Sequence, residues 1–181
     1  MKSLLYISGP YTGNNRIKRD ENITAARARM ISAMISDTWW PVCPHTHTAM
    51  MEDYAPAVTW NEWLQLDIAM LAGCDALWAT VRYDMAISNG VALEVAWAMQ
   101  AGMPLLVEEV RPQRYPVAPT VTKNSDGSVS LNAEMGRELG SFVLSKSYRL
   151  GKSADKIAAA VAAGEIPDPR DYKGSNLGGM S

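Results

Sequence analysis

The sequence predicts an α/β domain: a parallel β-sheet with helices on both faces. Three observations carry that expectation. Short apolar runs of strand length alternate with longer segments of helical period. The runs are close to continuously apolar, as strands covered on both faces are. At 181 residues the chain is long enough for one such domain with a substantial core.

The elements follow in order. "SLLYIS" (Ser3–Ser8) is a buried strand that ends at the glycine-containing loop "GPYTGNN". A helix runs from about Asp20 to Ser36, with Ile23, Ala26, Met30, Ala33 and Met34 on one face. "WWPVCP" (Trp39–Pro44) is the second strand, and "HTHTAMMEDYAPAV" a long polar loop. "TWNEWLQLDIAMLAG" is a helix with Thr59 as N-cap, Glu62 completing a capping box and Gly73 as the stop. "CDALWATV" (Cys74–Val81) is the third strand and "RYDMAISNG" a loop. "VALEVAWAMQAG" is a helix ending at Gly102, and "MPLLVEEV" (Met103–Val110) the fourth strand. The flavodoxin-like (Rossmann-like) order 2-1-3-4, with a fifth strand as an option, suits this alternation. Residues 111–131 form an excursion with a hairpin around "NSDG". "NAEMGRELGSFVLSKS" and "SADKIAAAVAAG" are further helices. The expected organisation is an α/β domain over 1–150, then a C-terminal helix and a mobile polar tail over 151–181.

Composition excludes several classes. Hydrophobic residues at 48% and charged residues at 20% are the balance of a soluble globular protein. A net charge of -2 offers no basic footprint for a nucleic-acid polymer. Arg16, Lys18, Arg19, Arg27 and Arg29 are interrupted by Asp20 and Glu21 and read as a solvated helix face. Two cysteines, Cys43 and Cys74, are too few for a disulfide scaffold and read as buried free thiols. No apolar run approaches the ~20 residues that span a bilayer, so no membrane partner is expected. "MKSLLYISGPYT" enters a strand too soon for a signal peptide, and the expected location is cytoplasmic.

Ligands of open parallel sheets bind outside the carboxyl ends of the strands. That rule puts Tyr6–Asn15, His45–Thr48 and Arg82–Gly90 on one rim. Ser88 is an N-cap, and Asn89 and Gly90 follow it at a helix start, where free N–H groups attract anions. Glu94 lies one turn beyond Gly90 in an otherwise apolar run. A carboxylate is costly to bury alone, so Glu94 is either exposed, structurally paired or a site acid. Asp67 raises the same question, because it shares a helical stripe with Trp63, Leu64 and Leu71. Two inward acids at a rim suit glycosidic chemistry: one attacks or stabilises the developing cation while the other handles protons. His45 and His47 form H-x-H without an evident third ligand, so no metal is expected. His45 reads as a substrate contact or a plain loop residue. Neither a Walker pattern nor G-x-G-x-x-G is present, and no cofactor is expected.

"LLYISGPYTG", "WLQLDIAMLAGCDALWA" and "SNGVALEVAWAMQAGMPLLV" resemble the nucleoside 2-deoxyribosyltransferase superfamily, which includes 2'-deoxynucleoside 5'-monophosphate N-hydrolases. The resemblance covers about Lys2 to Val110. Its glutamate motif G-x-x-x-E-x-x-x-A matches Gly90, Glu94 and Ala98, which implies Glu94 as nucleophile. It implies Asp67, eight residues before Asp75, as the second catalytic acid and Tyr6 as the tyrosine that assists the glutamate. Ser88, six residues before the glutamate, matches the serine of the monophosphate hydrolases. Their first loop reads G-S-x-R-G; here it is Gly9, Pro10, Tyr11, Thr12, Gly13, without that serine or arginine. The resemblance further implies a homodimer or higher homo-oligomer.

The expected function is therefore cleavage of the N-glycosidic bond of a 2'-deoxynucleoside 5'-monophosphate or deoxynucleoside, by hydrolysis or transfer. Glu94, Asp67 and Tyr6 form the expected catalytic group. Gly9, Pro10, Tyr11, His45, Ser88, Asn89 and Gly90 are the expected substrate contacts. The alternatives are a non-catalytic nucleotide-binding or sensing module on the same fold, and a structural domain whose acids pair for stability.

Overall fold

The computed structural model describes residues 2–12, 15–82, 87–110, 121–123, 129–131 and 153–173. β1 (Ser3–Ser8) is followed by α1 (Arg16–Ile35) and β2 (Trp39–Val42). Two short helices, α2 (Pro44–His47) and α3 (Met51–Tyr54), precede α4 (Trp60–Ala72) and β3 (Ala76–Arg82). α5 (Asn89–Gln100) leads into β4 (Leu105–Val110). These four strands form one parallel sheet in the order β2-β1-β3-β4, as the alternation predicts. Each parallel step needs a crossover, and α1, α4 and α5 supply them.

Alternation along the strands splits the core in two. Leu5 and Ile7 of β1 join Trp39, Cys43, Ala76, Trp78 and Leu106 against Ala26 and Ala33 of α1. Tyr6, Leu77, Ala79, Val81 and Val107 face the other way, onto Ile68 and Leu71 of α4 and the wall of α5. Tyr6 therefore points towards the helices that carry Asp67 and Glu94.

α1 begins earlier than the apolar period suggests because Asn15 caps it, accepting the Lys18 N–H at 2.9 Å. Its buried stripe is Ile23, Ala26, Arg29 and Ala33, with Met30 packed alongside and Met34 exposed. Arg29 corrects the expectation of a solvated basic face. It is 4% exposed, with Nε 3.0 Å from Glu108 Oε2 and Nη1 donating to the Ala25 carbonyl at 3.0 Å. The same Glu108 oxygen accepts Trp78 Nε1–H at 3.2 Å. A buried guanidinium is tolerated where a carboxylate and further hydrogen bonds meet it.

The stretch expected as a polar loop contains α2 and α3. Pro44 opens α2 with its φ already helical, and Glu52 and Asp53 lie in the first turn of α3, where the dipole favours acids. Neither helix is long enough to show a period. At α4 the capping box is present: Thr59 Oγ1 accepts the Glu62 N–H at 3.3 Å, and Glu62 Oε2 accepts the Thr59 N–H at 2.7 Å.

A helix over 153–162 (α6) places Ile157 in the core. The polar end was expected to be mobile, yet residues 165–173 pack. Ile166 and Pro169 are buried, the Pro167 carbonyl accepts Trp97 Nε1–H at 2.9 Å, and Tyr172 donates its hydroxyl to the Cys74 carbonyl at 3.0 Å. Isolated apolar anchors among polar residues do this without any period. β5 (Val121–Lys123) pairs antiparallel with β6 (Val129–Leu131). The turn between them, the helix expected in "NAEMGRELGSFVLSKS" and the last residues of the tail lie outside the described residues. Cys43 and Cys74 are free and buried. Among the described residues no helix is long and apolar enough to cross a membrane.

Candidate active site

The site is built where β1 ends beneath α5. Tyr6 and Ser8 are two residues apart on one strand, so both side chains face the same side of the sheet. Above them, every residue from Val91 to Ala98 of α5 is buried. Glu94 is the only charge in that wall and is 4% exposed. Its carboxylate is held at both oxygens: Tyr6 donates its hydroxyl to Oε1 at 2.7 Å, and Ser8 donates to Oε2. Charge-assisted hydrogen bonds of this kind offset the cost of taking a carboxylate out of water.

Asp67 reaches the same place from α4, half-buried at the edge of the helix stripe. Burial, and then the charge of Glu94, push its carboxyl up to about 8. Burial also raises Glu94, while the Ser8 and Tyr6 hydroxyls pull it back. Burial and the two acids hold the Tyr6 phenol well above its usual value. Two close carboxyls in a poorly solvated site titrate as a pair and keep a proton at neutral pH. The two donors on Glu94 favour the negative charge there, whereas burial and the Glu94 charge favour the protonated form of Asp67.

A second cluster forms along the rim. Pro10, partly buried, separates Gly9 from Tyr11. The Tyr11 ring lies 5.4 Å from the His45 ring at 58°. Tyr11 donates to Glu52 Oε1 at 2.6 Å and accepts the Met50 N–H at 3.1 Å, and Arg19 Nη1 meets the same Glu52 oxygen at 2.8 Å. These bonds tie the loop after β1 to the start of α3. Burial and Glu52 push Tyr11 up to about 12. His45, 7% exposed, is pushed down to about 4 by burial, with the Gly9 backbone pulling partly the other way. It is therefore neutral at pH 7, and among the described residues its buried Nδ1 has no partner. The same holds for Thr80 Oγ1, whose Cβ is 3.8 Å from where a side chain on Gly9 would begin. Each such atom costs about 1–3 kcal/mol.

Ser88 caps α5, accepting the Val91 N–H at 3.2 Å, and Asn89 and Gly90 form its first turn. Among the described residues, a Cβ built on Gly90 meets nothing within 4 Å, one turn before Glu94. The sequence-derived residues thus fall into three groups: Tyr6, Asp67 and Glu94; Gly9, Pro10, Tyr11 and His45; Ser88, Asn89 and Gly90. His47 is exposed, and no group of three metal-ligating side chains occurs among the described residues. Gly13, the Arg82 side chain and residues 83–86 of the third rim loop lie outside them. Ser8 and Thr80 were missed. The signal for Ser8 was its two-residue spacing from Tyr6; nothing in the sequence singles out Thr80.

No curated protein sequence matches the chain significantly. Among solved structures, a 2-desoxiribosyltransferase from Leishmania mexicana is similar at a TM-score of 0.44 and 19% identity, over 74% of this chain and 80% of that one. Residues 3–108 match the family model described as a domain of unknown function, DUF7768. That match spans the first three strands of the parallel sheet, reaches into the fourth and includes α4 and α5, which bear Asp67 and Glu94, and the chain belongs to the DUF7768 family.

Proposed function

We propose that the protein cleaves the N-glycosidic bond of a 2'-deoxynucleoside or its 5'-monophosphate, by hydrolysis or by transfer of the deoxyribose to another base. The observation that carries this reading is the carboxylate of Glu94, buried in an apolar wall and held at both oxygens, with Asp67 near enough to sense its charge. The sequence motifs set out above supply the substrate class.

Glu94 attacks C1' as the C1'–N bond breaks and its electron pair leaves with the base. Asp67 gives the departing base its proton. Water then attacks C1', the ester bond to Glu94 breaks with its pair returning to the carboxylate, and the water proton passes to Asp67. A second base in place of water gives transfer. Gly9–Tyr11 and Ser88–Gly90 hold the sugar and its 5' group. The reading includes a homo-oligomer, which light scattering tests. Incubation with a panel of deoxynucleosides and deoxynucleotides, followed for base release, tests the chemistry.

A non-catalytic nucleotide-binding module is the second reading. It is favoured by Tyr11, which is committed to Glu52 and Met50 in the loop where the hydrolases carry a serine and an arginine. Calorimetry showing tight binding without turnover supports it; base release eliminates it.

A further inference from the structure

Ser8 is 1% exposed and has one hydroxyl proton, which it gives to Glu94. Tyr6 gives its own to the other oxygen of the same carboxylate. A carboxylate has about four acceptor sites, so one donor on each oxygen leaves a free lone pair on each. We propose that Ser8 is a second positioning residue for Glu94, fixing the carboxylate plane from the Oε2 side while Tyr6 fixes it from Oε1.

The proposal rests on the glycosidic reading for its catalytic consequence, and on geometry alone for the clamp. Both clamping residues belong to β1, and their spacing of two residues is the repeat of a strand face. The acid on α5 is thus oriented by the sheet, not by its own helix. Whichever oxygen bonds C1', the other keeps a hydroxyl donor. That donor stays on the carbonyl oxygen of the glycosyl ester and stabilises the charge that returns when the C1'–O bond breaks and water bonds C1'. Breakdown of the intermediate is favoured along with orientation of the nucleophile.

Among the described residues, Tyr6 stands beside Ser8 on β1 and Asp67 projects from α4 towards Glu94; Cys43, after β2 in the core on the α1 side and raised to about 11 chiefly by burial, also senses the Glu94 charge. Among the described residues, the two hydroxyls are the groups that touch the carboxylate and favour its ionised form.

The test is the titration of Glu94 in protein carrying 13C-labelled glutamate carboxyls, read by NMR in the wild type, Ser8→Ala and Ser8→Thr. Assignment comes from the signal that Glu94→Gln removes. Ser8→Ala should move the Glu94 midpoint up by about one pH unit, and Ser8→Thr should restore it. In parallel, kcat should fall about tenfold in Ser8→Ala while KM changes less than about twofold. An unchanged midpoint in Ser8→Ala overturns the clamp, whatever happens to thermal stability. A raised midpoint in a protein that releases no base supports the clamp and overturns the glycosidic reading. Base release with an unmoved midpoint does the reverse.

Discussion

The Tyr6 hydroxyl lies 2.7 Å from Glu94 Oε1, joining residues 88 positions apart in the chain. That bond ties the first strand of the sheet to the wall of α5, and it does so at a carboxylate. Tyr6→Phe keeps the ring in the core and removes only the donor. Activity should fall by about 10- to 100-fold, and the acid side of the pH–rate profile should move to higher pH, because Glu94 loses a group that favours its ionised form. Steady-state kinetics across pH checks both.

Glu94→Gln should abolish base release, by about 1,000-fold or more, since the nucleophile is gone. It should also raise the melting temperature. Glu94 is strained by burial, and neutralising an active-site acid commonly stabilises a fold. Loss of stability in Glu94→Gln, in a protein whose wild type releases no base, would instead favour a structural role in which the acids pair for stability. Thermal unfolding alongside the assay separates the two.

Asp67 gives a pH signature with a definite sign. Its carboxyl titrates near 8 in the folded protein, against 3.8 for the unperturbed group. The folded state holds a proton that the unfolded state releases, so stability falls as pH rises through that window. Asp67→Asn removes the effect. The variant should match the wild type near pH 4 and be clearly the more stable of the two above pH 8. In the wild type, activity should decline through about pH 8, as Asp67 loses the proton it gives to the base. Denaturant unfolding at several pH values and the alkaline limb of the rate profile measure these.

His45 predicts the opposite window. Burial lowers it from 6.5 to about 4, so its neutral form contributes stability above pH 6.5 that is lost as pH falls towards 4. His45→Gln should unfold less steeply with acid over that range. Equal acid sensitivity in the two proteins would contradict the buried, neutral imidazole.

Arg29 and Glu108 should act as a unit away from the chemistry. Arg29→Ala strands a largely buried carboxylate and should cost about 3 kcal/mol. The double variant Arg29→Met, Glu108→Leu should recover most of that stability. A double-mutant cycle on unfolding free energies checks the coupling.

Much of the fold was legible because its strands are short, apolar and separated by helical periods. Ser3–Ser8 is a strand with the bounds read from the sequence, and the Thr59 capping box and the Ser88 cap are both formed. What was illegible had no period to show. α2 and α3 are single turns in a polar stretch, and Ile166, Pro169 and Tyr172 are lone anchors near the end. Arg29 was misread because a charge on a helix looks solvated until its partner on β4 is known. At the candidate site, Glu94 and Asp67 stood out as acids on apolar stripes. Ser8 did not, because a serine at the end of a strand is unremarkable until Tyr6 is seen to face α5.

The most direct measurement is base release from a panel of 2'-deoxynucleosides and their 5'-monophosphates, with Glu94→Ala assayed beside the wild type. The account predicts release by the wild type for at least one member of the panel and none by Glu94→Ala. No release from any member, or release undiminished in Glu94→Ala, would contradict it.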